Sequence, residues 1–174
     1  MLLVICGRSG CGKTTVIREM QQHGYVSVSA SQIAAQMFFS EHGYQPTRRD
    51  LAEFGTKILT SSREEEFMFR VLESISSGDK VAVDGLRSVR TIRCLQVSHD
   101  AVVVLLTRSP TMCQGGGGSM DEVDIELHQL AGEVDSYLDA RDFRPDITVS
   151  NDGPIRDTCA TIFRRVDDVV CRRQ

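Results

Sequence analysis

Residues 7–14 carry a pattern of glycine, lysine and threonine that can bind a phosphate group. They read Gly-Arg-Ser-Gly-Cys-Gly-Lys-Thr, which fits the P-loop spacing G-x-x-x-x-G-K-[ST], and they follow an apolar run at residues 2–6. In such a loop the backbone N–H groups curl around the phosphate, and glycines keep side chains out of the way. Lys13 can then reach the β and γ phosphates, and the Thr14 hydroxyl can ligate Mg²⁺. We therefore predict a phosphate-binding loop, the alternative being a glycine-rich turn with an incidental lysine.

The composition is that of one globular domain spanning residues 1–174. Hydrophobic residues make up 41% and charged residues 25% of the chain, which is long enough to bury a core. The formal net charge of −4 argues against a surface that generally coats nucleic acid, although it is compatible with a local basic groove.

The cysteines and the N-terminus bear on the cellular setting. The six cysteines contain no C-x-x-C pair, so they give no support for a zinc site or a dithiol motif. The N-terminal apolar run is only five residues long and leads directly into the P-loop, so we expect a buried strand rather than a signal peptide or a membrane span. We therefore expect reduced thiols in a cytoplasmic protein.

Strand-like apolar runs alternate with helical patterns along the chain. The predicted strands lie at residues 2–6, 25–29, 80–84, 101–107 and 146–150. The predicted helices lie at residues 14–22, 31–40, from Thr47 onward, 62–78, 89–97, 120–140 and 155–171. This alternation predicts a parallel sheet with helices on both faces, in which ligands bind beyond the carboxyl ends of the strands. The P-loop, Ser29, Asp84 and Thr107 all fall at those ends.

Residues 115–119 read Gly-Gly-Gly-Gly-Ser, which is the sequence of a flexible linker. We interpret this segment as an engineered replacement for a native loop, the alternative being a natural glycine-rich loop. It is not expected to be a domain boundary, because neither side would make a complete sheet.

Several further motifs give the chain a resemblance to a known family. They are the turn at residues 43–47, the element Asp84-Gly85-Leu86-Arg87, the strand end at residues 107–110 and the turn at residues 149–153. With the P-loop, these motifs resemble the P-loop nucleoside monophosphate kinase group, in particular the small kinases related to dephospho-CoA kinase and to archaeal adenylate/cytidylate-kinase-like proteins. The resemblance implies a three-layer α/β fold with a five-stranded parallel sheet of order 2-3-1-4-5. It also implies an acceptor-binding helical region at about residues 30–77 and a lid region at about residues 109–127.

The resemblance implies catalytic roles for Lys13, Asp84 and Arg87. Lys13 would neutralise the transferred phosphate, and Arg87 would clamp an anionic acceptor. Thr14 would be a ligand of Mg²⁺, and Asp84 would complete the metal site by holding a Mg²⁺-bound water, or would accept the acceptor's proton. The residues implied to bind ATP are Gly7, Arg8, Ser9, Gly10, Cys11, Gly12, Lys13, Thr14, Thr15, Arg108, Asn151 and Gly153. The alternatives are a turn aspartate for Asp84, a solvated arginine for Arg87, and an ordinary strand-to-helix turn at residues 151–153.

Two departures from the family pattern affect the expected acceptor and lid. Ala35 stands where the family often has an arginine for the acceptor phosphate, and Arg48 or Arg49 is a candidate substitute. Residues 109–127 contain no arginine or lysine, whereas family lids carry arginines that close over the transferred phosphate. Arg141 and Arg144 follow the lid region and are candidates to reach the donor phosphates.

These observations favour an ATP-dependent phosphotransferase that moves the γ-phosphate to a nucleotide-like small molecule. A nucleic-acid acceptor is compatible but less favoured, no membrane contact is expected, and the protein is expected to be a monomer or a homodimer. One alternative is a nucleotide-binding switch or assembly protein with weak or no transferase activity, which the lid without basic residues favours. Another is an NTPase coupled to a partner, because Asp84 after an apolar strand also fits the acidic residue of that class.

Overall fold

The computed structural model describes residues 1–75, 80–109 and 135–173. Its strands are β1 (Leu2–Gly7), β2 (Tyr25–Ser29), β3 (Lys80–Asp84), β4 (Val102–Thr107) and β5 (Ile147–Ser150). Its α-helices are α1 (Lys13–Gln22), α2 (Ala30–His42), α3 (Arg48–Leu59), α4 (Arg63–Glu73), α5 (Val89–Ser98) and α6 (Ile155–Arg173). A 3-10 helix at Asp135–Asp139 precedes β5.

The five strands form one parallel sheet of order β2-β3-β1-β4-β5. This order is the predicted one. Each strand also begins and ends within one residue of its predicted bounds. β1 lies at the centre and is buried along its whole length, as a parallel strand covered on both faces must be. Its register with β3 pairs Ile5 with Asp84, and β2 pairs Ser29 with the same residue.

The core has two halves, one on each face of the sheet. Val4 and Cys6 of β1 belong to the cluster that contains buried residues of α2, α3, α4 and α5. Leu3 and Ile5 belong to the cluster with α1 and α6. Since successive side chains of a strand point to opposite faces, this division confirms the predicted three layers.

The helix termini agree with the predictions in part. Thr47 caps α3 as predicted, because its hydroxyl accepts from the Asp50 N–H while the Asp50 carboxylate accepts from the Thr47 N–H. The prediction that a helix runs on to Gly78 is wrong, because α4 ends at Glu73.

The prediction of an α-helix at residues 120–140 is also wrong for the part of that range that the structure describes, because residues 135–139 form a 3-10 helix. Contacts of these residues with the P-loop, described below, override the local helical pattern. Residues 120–134 lie outside the described part, as does residue 174. The predicted lid beyond residue 109 and the segment 115–119 also lie outside it.

Among the described residues, no helix is both long enough and apolar enough to cross a membrane.

Candidate functional site

The P-loop connects the end of β1 to the first residue of α1. Gly10 and Gly12 have φ values of 78° and 92°, which L side chains rarely adopt. A Cβ atom on Gly12 would also lie 2.3 Å from the Asn151 side-chain nitrogen. Both positions therefore require glycine, and the loop takes the curled shape that the motif predicts.

Asn151 holds this loop from the side of β5 and α6. Its Nδ2 donates to the Cys11 carbonyl at 2.9 Å, and its Oδ1 accepts from the Thr158 hydroxyl at 3.0 Å. Asn151 is 7% exposed, so the amide is committed to these partners. The sequence resemblance implies that Asn151 binds ATP, whereas in the structure its side chain contacts the P-loop itself. Gly153 is exposed.

Lys13 lies over the loop with its ammonium group on two carbonyl oxygens. Nζ donates to Gly7 O at 2.6 Å and to Arg8 O at 2.8 Å. It also lies 3.9 Å from Cys11 Sγ, a weak acceptor. An ammonium has three N–H donors, so one strong donor position is available for a phosphate oxygen.

One cavity of about 660 Å³ joins most of the predicted site residues. The P-loop and α1 contribute Ser9, Gly10, Gly12, Lys13, Thr14 and Thr15 to its wall. The ends of β3 and β4 contribute Asp84, Arg87 and Arg108. The predicted residues outside the cavity lining are Gly7, Arg8, Cys11, Asn151 and Gly153. Arg141 and Arg144 do not line it either.

Asp84 lines this cavity and carries a carboxylate oxygen whose hydrogen-bonding capacity is not met by the described part of the chain. Oδ1 is buried and has no hydrogen-bond partner among the described residues. Burial raises the pKa of Asp84, while a hydrogen bond with Ser29 and the charge of Lys13 act in the opposite direction. A carboxylate with an unsatisfied oxygen, on a residue that lines the same cavity as Thr14, fits a hard, oxygen-binding cation such as Mg²⁺.

The turn that carries Arg87 is anchored by the residues that follow it, at the start of α5. The Ser88 hydroxyl accepts from the Thr91 N–H at 2.9 Å and so caps α5, and it also donates to the Glu64 carboxylate. Ser88 is buried, and Arg90 adds an ion pair to Glu65 at 2.9 Å. These contacts hold the turn while the Arg87 side chain lines the cavity.

Arg108 lies over the P-loop from the end of β4. Its Nη1 is 3.5 Å from Gly10 O, and its buried Nε has no partner among the described residues. The chain just beyond it is fixed by Asp152, which accepts from the Ser109 N–H at 2.7 Å and from the Ser150 hydroxyl at 2.6 Å. These hydrogen bonds lower the pKa of Asp152. Arg108 thus places a cation at the P-loop end of the cavity.

The other end of the cavity is mostly apolar and is formed by α2, α3 and α4. Its apolar wall consists of Ala34, Leu51, Ala52, Ile58, Leu59 and Phe67, with Gly55 among them. Arg48 lines the cavity, whereas Arg49 forms an exposed ion pair with Glu53 at 3.1 Å. The structure therefore separates the two arginines that the sequence left as alternatives. Sequence reasoning missed Gly55, although a glycine in the middle of an amphipathic helix is a detectable signal.

This fold and loop define the chain as a P-loop protein with the architecture of the small kinases. The AAA domain family model matches residues 2–84, which is slightly less than half of the chain. A UPF0200 protein from Pyrobaculum aerophilum is 27% identical over 97 residues, covering 55% of this chain and 51% of the relative. The alignment thus spans about half the length of that curated relative.

Two solved structures show the same architecture over almost the whole chain. A gluconokinase from Sinorhizobium meliloti 1021 has a TM-score of 0.60 at 17% identity, covering 99% of this chain and 97% of its own. A dephospho-CoA kinase from Campylobacter jejuni has a TM-score of 0.54 at 15% identity, covering 95% and 96%. The predicted resemblance to the small P-loop kinases is confirmed at the level of the fold.

Proposed function

We propose that this protein is an ATP-dependent phosphotransferase that moves the γ-phosphate of ATP to a nucleotide-like acceptor. The observation that carries the proposal is one cavity that extends from the P-loop to the apolar end formed by α2, α3 and α4. We call this apolar end, together with Arg48 and Arg87, the second lobe or acceptor lobe. A donor phosphate at Lys13 and an acceptor in the second lobe would share one cavity. The kinases with the same fold support a phosphotransferase over a simple binding protein.

In phosphoryl transfer a protein mainly positions the two reactants and neutralises charge. Lys13 and Arg108 place positive charge at the donor phosphates, and Arg87 holds an anionic group of the acceptor. The Thr14 hydroxyl and the Asp84 carboxylate would hold Mg²⁺, which when bound neutralises charge on the phosphate oxygens. If the acceptor group is a hydroxyl, Asp84 also lies where it can take the proton that is lost.

The second lobe favours an acceptor that has a flat apolar part and an anionic part. Its wall is mostly aliphatic with one phenylalanine, Phe67. A polyhydroxylated sugar acid would leave hydroxyl groups without partners against this wall, which costs free energy. A nucleobase can pack on it, with its phosphate facing the guanidinium groups of Arg48 and Arg87.

The proposal is tested by offering ATP and Mg²⁺ with a panel of acceptors and measuring product masses. The panel contains nucleoside monophosphates, nucleosides, dephospho-CoA and gluconate. We expect a mass increase of one phosphoryl group on a base-containing acceptor and none on gluconate. Transfer to gluconate alone would contradict the acceptor assignment. ATP binding without transfer to any acceptor would favour the switch-protein alternative.

Arg48 is expected to bind the acceptor phosphate, and Arg49 provides a matched control. Arg48→Ala removes a guanidinium from the cavity, so we expect the acceptor KM to rise by about tenfold or more while the ATP KM changes little. Arg49→Ala breaks an exposed i,i+4 ion pair with Glu53 and leaves the cavity lining unchanged, so its kinetics should stay within about twofold of the wild type. Steady-state kinetics with each substrate varied in turn measure both effects. Equal kinetics in the two variants would remove Arg48 from the acceptor site.

Gly55 is expected to keep the acceptor lobe open at the expense of helix stability. A Cβ at this position would meet no atom within 4 Å, and the residue lines the cavity within α3. Gly55→Ala should therefore raise the free energy of unfolding by about 0.5–1 kcal/mol. Gly55→Leu should also fold, but it fills the lobe and should raise the acceptor KM by about tenfold without changing the ATP KM. Thermal unfolding and kinetics check the pair, and an unchanged acceptor KM in Gly55→Leu would contradict this role.

A further inference from the structure

A buried carboxylate that the proposed mechanism does not use lies against the P-loop. Asp135, in the 3-10 helix, accepts a hydrogen bond from the Ser9 N–H, with Oδ2 and N 2.6 Å apart. Asp135 is 5% exposed, and it is not part of the cavity lining, whereas Ser9 is. A charge-assisted hydrogen bond is strong in such a place because little water competes for it. The carboxylate thus binds the P-loop at a residue that itself lines the cavity.

The N–H that Asp135 holds belongs to the peptide group whose carbonyl holds Lys13. The Arg8 carbonyl oxygen accepts from Lys13 Nζ at 2.8 Å, and the Ser9 N–H of the same peptide group donates to Asp135. A trans peptide group is planar, with its C=O and N–H pointing in opposite directions. Fixing the N–H therefore also fixes the direction of the carbonyl that the lysine uses.

The 3-10 helix itself is anchored firmly enough to hold this geometry. Tyr137 is buried, packs edge-to-face on Phe143 at 5.6 Å, and its hydroxyl lies next to the Gly7 backbone and the Cys6 side chain. These contacts lie directly beneath the start of the P-loop. Asp135 is consequently presented by a segment that is packed into the core.

We propose that Asp135 is a positioning residue for Lys13, acting through the peptide group between Arg8 and Ser9. The inference rests on the proposed function, because it takes Lys13 to bind the phosphates of ATP. With the peptide group held, the ammonium keeps two donors on Gly7 O and Arg8 O and presents the third to a phosphate. Without Asp135 the peptide group is held only from its carbonyl side, where the Arg8 oxygen also accepts from the Cys11 N–H at 3.2 Å, so the lysine is less well preorganised and ATP binding weakens.

Calorimetric binding of a non-hydrolysable ATP analogue with Mg²⁺ tests the proposal in four folded proteins. Asp135→Ala removes the acceptor of the Ser9 N–H, so we expect the Kd to rise by about tenfold relative to the wild type. Asp135→Asn keeps an acceptor oxygen and should restore the affinity to within about threefold. Asp139→Ala is the matched control in the same 3-10 helix. Among the described residues it removes an exposed ion pair with the Arg8 side chain, so its Kd should stay within about twofold.

The outcomes separate this inference from the proposed function. Failure of the wild type to bind the analogue would count against the proposed function itself. If the wild type binds and a folded Asp135→Ala protein binds equally well, only the positioning role is overturned. An equal loss in Asp139→Ala also overturns it, because the effect would then come from general disturbance of the 3-10 helix. Amide exchange at Ser9 in the wild type, measured by NMR, decides the case in which Asp135→Ala does not fold. Slow exchange supports the hydrogen bond, and fast exchange overturns it.

Discussion

Replacing Lys13 by alanine is expected to lower the rate of phosphoryl transfer severely and to weaken ATP binding strongly. The ammonium group lies over the P-loop on Gly7 O and Arg8 O, in the cavity where the donor phosphates would bind. Removing a preorganised cation from a site of developing negative charge costs roughly a hundredfold to a thousandfold in rate. Single-turnover kinetics and calorimetry with ATP measure the two effects.

A second lysine in the chain serves as the control for this change. Lys57 lies in the last turn of α3, is exposed, and is not part of the cavity lining. Lys57→Ala should leave ATP affinity and the rate of transfer within about twofold of the wild type, as is usual for surface substitutions. A folded Lys13→Ala protein with the ATP affinity of the control would contradict the assignment of the P-loop as the donor site.

The fold was predictable because its signals are local and repeat along the chain. Each strand is a short apolar run, such as residues 102–106, and each is separated from the next by a helical pattern. The P-loop was predictable for the same reason, since its glycines, lysine and threonine are contiguous. The strand order rested on the family resemblance, and the structure confirms it.

The parts of the site that sequence did not reveal depend on helix phase or on distant contacts. Arg48 and Arg49 are adjacent in sequence, but neighbouring residues of a helix point about 100° apart, so only one faces the cavity. The hydrogen bond between Ser9 and Asp135 joins residues 126 positions apart, and that between Asn151 and Cys11 joins residues 140 apart. No spacing rule along the sequence can indicate such pairs, because they are set by how the connections pack after the sheet has formed.

Replacing Asp84 by asparagine is expected to lower kcat by roughly a hundredfold or more, in the range for loss of a positioned acid–base group. The ATP KM should change by no more than about threefold, because the P-loop is left intact. The side chain keeps its size, so the hydrogen bond with Ser29 can persist while the charge on the orphaned Oδ1 is lost. Asp168→Asn, an exposed change on α6, is the control and should leave kcat unchanged. A wild-type kcat in Asp84→Asn would mean that this aspartate has only a structural role in its turn.

The same substitution should make the protein without ligands more stable at neutral pH. Burial raises the pKa of Asp84 in the folded state, so the folded protein binds the proton more tightly than the unfolded chain does. Stability therefore falls as the pH rises through the interval from the ordinary pKa of an aspartate up to the raised value. Above that interval the wild type carries a buried, incompletely paired charge, and Asp84→Asn does not. We expect a higher midpoint of thermal unfolding for the variant at pH 7, and a smaller difference once the pH falls below the ordinary aspartate pKa. A variant that is less stable than the wild type at pH 7 would contradict this prediction. It would show that the charge of Asp84 stabilises the fold and that burial of the carboxylate does not destabilise it.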